Sequence, residues 1–195
     1  MSDTVNAPVN ALGGARSQGF ALIEELPPIG MLTLRGDFTA SKFKSAVKKS
    51  AGVAIPALRQ VAQAGDNTLC WMSPDELLLV TGYDSAADKK AALDKALSGQ
   101  HYMAEVVSDA RAMFRVIGQP AQIGELIAKL APVDMSADVF KPGDIRRSHI
   151  GQVAAAFWLV DDNTLHLVCF RSVARYVFDL LDISATKGSE VGLFA

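Results

Sequence analysis

Apolar residues along this chain fall into short runs whose period switches repeatedly between strand-like and helix-like spacing. FALIEEL (20–26) reads as a strand or an extended arm, and Pro27-Pro28 ends it. IGMLTLRG (29–36), carrying Met31, Leu32 and Leu34, predicts a strand. Over TASKFKSAVKKSAG the period lengthens. Phe43, Ala46 and Val47 share one helical face, Thr39 or Ser41 is placed to cap the N-terminus, and Gly52 stands where a glycine stops a helix. Residues 53–67 show no clear period before the turn signal Gly65-Asp66-Asn67. LCWMSPDELLLV (69–80) then predicts two strands around Ser73-Pro74-Asp75. Residues 85–98 predict a helix through Leu93, Ala96 and Leu97, and HYMAEVVSD (101–109) another strand.

The order then recurs. RAMFRVIG (111–118) places Met113, Arg115 and Ile117 on one side of a strand and Phe114 and Val116 on the other. Pro120 suits the first turn of a helix whose inner face is Ile123, Leu126, Ile127 and Leu130, and Pro132 closes it. Residues 133–149, which include FKPGDIRRSH, read as a connection. IGQVAAAFWLV and TLHLVCF form a hairpin across Asp161-Asp162-Asn163. SVARYVFDLLD is an amphipathic helix with Val173, Tyr176, Val177, Leu180 and Leu181 on one face and Ser172 as its cap, and a tail of 185–195 follows. The predicted fold class is therefore α+β: two ferredoxin-like β-α-β-β-α-β halves, 19–110 and 111–195, repeated in element order but not in residue identity. Neither half holds enough apolar residues alone, so the two are expected to pack as one body. Residues 1–18, rich in Asn, Gly, Ser and Ala without periodicity, predict a flexible N-terminal segment.

Composition narrows the function classes. Half of the 195 residues are hydrophobic and 21% are charged, which is globular usage. The mean hydropathy of +0.21 is high for a freestanding chain, and the surplus is available to cover a partner subunit. No apolar run approaches the ~18 residues that a membrane helix needs. A net charge of -2, with basic residues only in isolated pairs, gives no footprint for nucleic acid. Cys70 and Cys169 each sit inside an apolar run, and the N-terminus lacks a basic segment followed by an apolar one, so a cytoplasmic location is expected.

Catalytic patterns are sparse. His101, His149 and His166 lack metal-ligand spacing, and His166 alternates with Leu165 and Leu167 as an outward strand position would. No glycine-rich phosphate loop and no G-x-S-x-G elbow occurs. Asp75-Glu76 is a conceivable acid/base pair, yet neighbours on a strand point to opposite faces, and Pro-Asp is an ordinary turn former. Arg146-Arg147 with His149 reads either as a grip for an anion or as an exposed loop. Spacing alone stops at an α+β domain with no evident catalytic kit.

Three stretches carry a resemblance. LCWMSPDELLLV resembles the W-x-x-P-D-E-[WL]-L-[LV] hairpin of sarcosine oxidase gamma subunits. SDARAMFRVIGQPAQIGELIAKL is similar to their Asp-led strand, Gly-x-x-Ala and helix. CFRSVARYVFDLL, downstream of PGDIRRSHIGQVAAAFW, resembles their closing Arg-Ser-x-x-x-Tyr helix. Together they span about residues 69–184 in order. The resemblance implies one subunit of a heterotetramer with alpha, beta and delta partners, alpha in direct contact. That enzyme demethylates sarcosine oxidatively to glycine with hydrogen peroxide as product, and passes the one-carbon unit to tetrahydrofolate. FAD, FMN, NAD, tetrahydrofolate and zinc are expected in the other subunits and none in this chain. The implied fold is that of the folate-binding region of aminomethyltransferases, which makes Asp109 and Arg171 the folate-site candidates. Ala110-Arg111 replaces the family's serine pattern after that Asp, so the favoured reading is a non-catalytic paralogue. The alternative is an independent folate-dependent aminomethyltransferase. At the hairpin, Trp71 is expected to anchor the strand in the core, Asp75 to bond back to the backbone, and Glu76 to be free for a partner.

Overall fold

The computed structural model describes residues 7–194. It contains two antiparallel sheets back to back, each covered on its outer face by two helices. The chain opens with β1 (Arg16–Gln18), β2 (Leu22–Glu25) and β3 (Gly30–Gly36), followed by α1 (Ser41–Ala51). Next come β4 (Val61–Ala64), β5 (Asn67–Ser73), β6 (Glu76–Thr81), α2 (Ser85–Leu97) and β7 (Tyr102–Val106). The second pass runs through β8 (Arg111–Ile117), α3 (Pro120–Ala128), β9 (Ile145–Ile150), β10 (Val153–Asp161), β11 (Thr164–Phe170) and α4 (Ala174–Ser184).

The five-stranded sheet has the order β4-β5-β6-β3-β7, and the six-stranded sheet β1-β2-β8-β11-β10-β9. Taking β3, β5, β6 and β7 as its four strands, the first unit has the ferredoxin-like arrangement, with the first strand central and the fourth beyond it. The second unit, built on β8, β10 and β11, has no strand after α4. β2 from the N-terminal end takes that fourth slot, pairing Leu22–Glu25 with Phe114–Ile117. The predicted boundary of the halves at 110/111 is thus crossed by residues 22–25. The cause is local: Ile23 drops into the second unit's core, and Pro27-Pro28 breaks the strand so that the chain passes to the other sheet.

Alternation decides which core each side chain joins. On β8, Ala112, Phe114 and Val116 face α3 and α4 while Met113 faces the other sheet; on β6, Leu77 and Leu79 face α1 and α2 while Leu78 and Val80 face inward. Between the sheets lies a third cluster, in which Met31, Cys70, Leu78 and Val80 meet Met113, Ile145, Ala156, Trp158 and Val168. Burial of both faces of both sheets accounts for the high hydropathy and joins the two units as one body.

Several local expectations change. Ile145–Ile150, read as connection, is strand β9, paired with β10 across Ile145↔Trp158 to Ile150↔Val153. Its Arg-Arg-Ser-His run hides the period because it is an edge strand with exposed Arg147 and His149. Within the expected flexible segment 1–18, residues 16–18 form β1, and the amides of Leu12 and Gly14 donate to the buried carboxylate of Glu25 at 2.8–3.1 Å. Residues 1–6 of that expectation lie outside the described residues. Gly52 does end α1, with φ 82° and its N–H on the Lys48 carbonyl, but Ala40 occupies the N-cap position while Asp37 binds Thr39. Ser172 belongs to a 3-10 turn (Arg171–Val173) ahead of α4, and Tyr176 on that helix is exposed.

Candidate functional site

Asp109 and Arg171 are brought together by strand pairing. Each sits in a 3-10 turn, Asp109 just before β8 and Arg171 just after β11, and these strands pair antiparallel with Arg111 opposite Phe170. The two turns therefore share one end of the sheet and line one cavity. Asp109 accepts a hydrogen bond from the Tyr83 hydroxyl at 2.9 Å, which holds that hydroxyl above its usual pKa, burial adding to the shift. Arg171 donates to the Asn10 carbonyl at 3.0 Å. Val9, Asn10 and Ala11 from the N-terminal segment and Leu26 to Ile29 crowd the same cavity and leave about 20 Å³. That is room for about one water, against the several hundred Å³ of a ligand pocket. A pterin does not fit between Asp109 and Arg171 in this arrangement.

A second polar site lies in the seam between the sheets. Glu76 opens β6 with its side chain turned inward, 7% exposed, and accepts from Arg35 at 2.6 Å and from Arg147 of β9 at 3.3 Å. The expectation that Glu76 is free for a partner therefore does not hold. Asp75, in the turn, is exposed; it accepts from the Ser73 hydroxyl at 2.6 Å and lies 3.7 Å from Arg35, and these contacts hold its carboxyl below the usual range. Being one residue outside the strand, Asp75 escapes the alternation rule and meets the same guanidinium as Glu76. Trp71 is half-buried and borders an open groove of about 610 Å³ with Arg146, Arg147, Val133 and Val139. The fully buried indole is that of Trp158.

A family model described as "Sarcosine oxidase, gamma subunit family" matches residues 35–186. The chain belongs to the sarcosine oxidase gamma subunit family. Among solved structures, the heterotetrameric sarcosine oxidase from Corynebacterium sp. U-96, in complex with pyrrole 2-carboxylate, aligns with a TM-score of 0.76 at 20% identity over 85% of this chain and 83% of that one. The glycine cleavage system aminomethyltransferase T from Bartonella henselae aligns with a TM-score of 0.58 at 11% identity. That alignment covers 84% of this chain and 46% of the transferase. No functionally curated protein matches. These structural likenesses bear out the aminomethyltransferase-like fold.

In this gamma-family chain the remaining candidates disperse. His101 is exposed just ahead of β7 and His149 is exposed on β9, and among the described residues no three His, Cys, Asp or Glu side chains gather as a metal set. His166 is half-buried in the seam rather than outward: its ring meets Trp158 edge-on at 5.7 Å, and burial, with Arg115 nearby, lowers its pKa to about 4. Burial raises the Cys169 thiol to about 12 and pushes Cys70 up as well, so neither supplies a thiolate at neutral pH. Arg146 is drawn over the Phe140 ring at 5.0 Å, and Arg147 turns to Glu76, so that the pair divides between two sites. Sequence reasoning missed Arg35, Arg111 and Thr33, all of which face the seam. Their signal was present only as a polar residue within or at one end of an apolar strand, Thr33 and Arg35 in β3 and Arg111 at the start of β8.

Proposed function

We propose that this chain is the non-catalytic gamma subunit of a heterotetrameric sarcosine oxidase, supporting the oxidative demethylation of sarcosine to glycine with one-carbon transfer to tetrahydrofolate. In this reading the partners are alpha, beta and delta subunits, with alpha in direct contact. FAD, FMN, NAD, tetrahydrofolate and zinc are held by those chains, in the cytoplasm. The observation that carries the proposal is the family match over residues 35–186. The crowded Asp109 corner supports it, because the place where the fold's folate chemistry is expected holds the chain's own N-terminal segment. Exposed Leu58 (65%) and Val139 (45%) bordering the groove supply apolar contact area of the kind subunit interfaces use.

The second reading, an independent folate-dependent aminomethyltransferase, draws on the likeness to aminomethyltransferase T. Calorimetric titration of the isolated full chain with tetrahydrofolate separates the two. The expected result is no saturable heat up to about millimolar ligand, the same for Asp109→Ala and Arg171→Ala as for the parent chain. Micromolar binding that Asp109→Ala abolishes would favour the transferase.

A further inference from the structure

The seam between the sheets holds more positive charge than its own carboxylates match. Arg35 and Arg147 both bond to Glu76, the buried carboxylate of the seam, and Asp75 lies out in solvent. Arg111 is left over. Its side chain makes no hydrogen bond to another protein group among the described residues, and its guanidinium rests 3.9 Å over the exposed ring of Phe170. Burial lowers its pKa, and the like charge of Arg147 works in the same direction, against the attraction of Glu76. A half-buried cation without a hydrogen-bonding partner costs stability unless something neutralises it.

The space beside it is suited to such a counterion. Before Trp158 fills the seam further along β10, the inward residues at this end of the strand are the small Ala154 and Ala156. Together with Thr33, Glu76, Arg111 and Arg147 they line part of a cavity of about 50 Å³ that opens to solvent beside Ala154 and Phe170. Thr33 is buried, and its hydroxyl has no protein partner among the described residues. Two guanidinium groups and a hydroxyl thus converge on one void. Arg147, half-exposed, forms its mouth. The volume accommodates about one or two water-sized groups, and the Glu76 carboxylate on the wall disfavours a dianion.

We propose that this void binds a small monovalent anion, a halide or a formate-sized carboxylate, between the guanidinium groups of Arg111 and Arg147. Through the Thr33 hydroxyl the anion links β3 of one sheet to β8 and β9 of the other, so its binding stabilises the packing of the two units. The inference rests on the seam alone and stands or falls independently of the role assigned to the chain.

The test is thermal unfolding of the full chain at pH 7 and constant ionic strength, with sodium gluconate, whose anion is too large for the void, replaced stepwise by sodium formate or chloride. The expected result is a midpoint that rises with the logarithm of formate or chloride once the site is filled, as ligand linkage requires. That rise is lost in Arg111→Gln and retained in Arg175→Gln, which alters an exposed ion pair on α4. An equal rise in Arg111→Gln, or none in the parent chain, overturns the proposal. Should Arg111→Gln fail to fold, chloride-35 line broadening by the parent chain decides: broadening displaced by formate supports the site, and its absence refutes it.

Discussion

At the scale of single residues, the outcome turns on which groups the fold takes out of water. Glu76 shows this most plainly. Its neighbours in sequence mark a turn, but its partners Arg35 and Arg147 lie 41 and 71 positions away and are visible only once the sheets are stacked. His166 is the clearest titrating example. Its partners across the strand pairing are Trp158 on one side and Arg115 on the other. Burial against the indole, and secondarily the Arg115 charge, hold its folded pKa at about 4, with Asp161 opposing weakly. The unfolded chain takes up this proton near the ordinary histidine value of about 6.5, and the folded chain does not until about 4. Stability is therefore lost as pH falls through that window, by at most about 3 kcal/mol for this one group. Urea midpoints measured at pH 7, 5.5 and 4.5 are expected to fall less steeply in His166→Gln than in the parent chain. Parallel slopes would show that His166 is solvated. The alternation of Leu165, His166 and Leu167 was legible in the sequence; that both faces of β11 are covered was not, because alternation alone does not say whether a second sheet stands opposite.

Among elements, those with a strong period were read correctly and those defined by their neighbours were not. α1, α2, α3 and α4 and the hairpins β5–β6 and β10–β11 appear where helical spacing or turn residues placed them. β9 escaped notice because an edge strand needs charge more than it needs apolar alternation. β2 was recognised as extended, but its sheet was not, since strand pairing at that distance leaves no mark in local sequence. The same junction gives a test. Gly19 precedes β2 where the chain packs against the end of α4, and the Phe20 amide donates to the Ala185 carbonyl at 2.7 Å. A Cβ built on Gly19 overlaps that carbonyl. Gly19→Ala is expected to cost about 1–3 kcal/mol by forcing β2 off the α4 terminus, read as a lower urea midpoint with the slope unchanged. A midpoint equal to that of the parent chain would mean that the junction yields freely.

For the whole molecule, the fold class was legible because element order repeats twice, and the family because three motifs stand in sequence order over residues 69–184. The state of the corner around Asp109 was not legible. The candidates Asp109 and Arg171 line one cavity, yet the chain's own residues 9–11, whose composition predicts looseness, crowd into it. That segment acquires order from Glu25 and Arg171, partners that composition cannot reveal. The resulting picture is of a body built for packing, with both sheets covered, its thiols buried and Arg35, Arg111 and Arg147 turned into the seam. The central claim is that this body serves as one subunit among catalytic neighbours. The most direct test is to affinity-purify the chain from its native cells under mild conditions, determine the mass and composition of what comes with it, and assay sarcosine-dependent hydrogen peroxide release. The account expects equimolar recovery with flavin-bearing chains and peroxide release by that complex. Recovery of the chain alone, free of flavin and without sarcosine oxidation in any fraction containing it, would contradict the account.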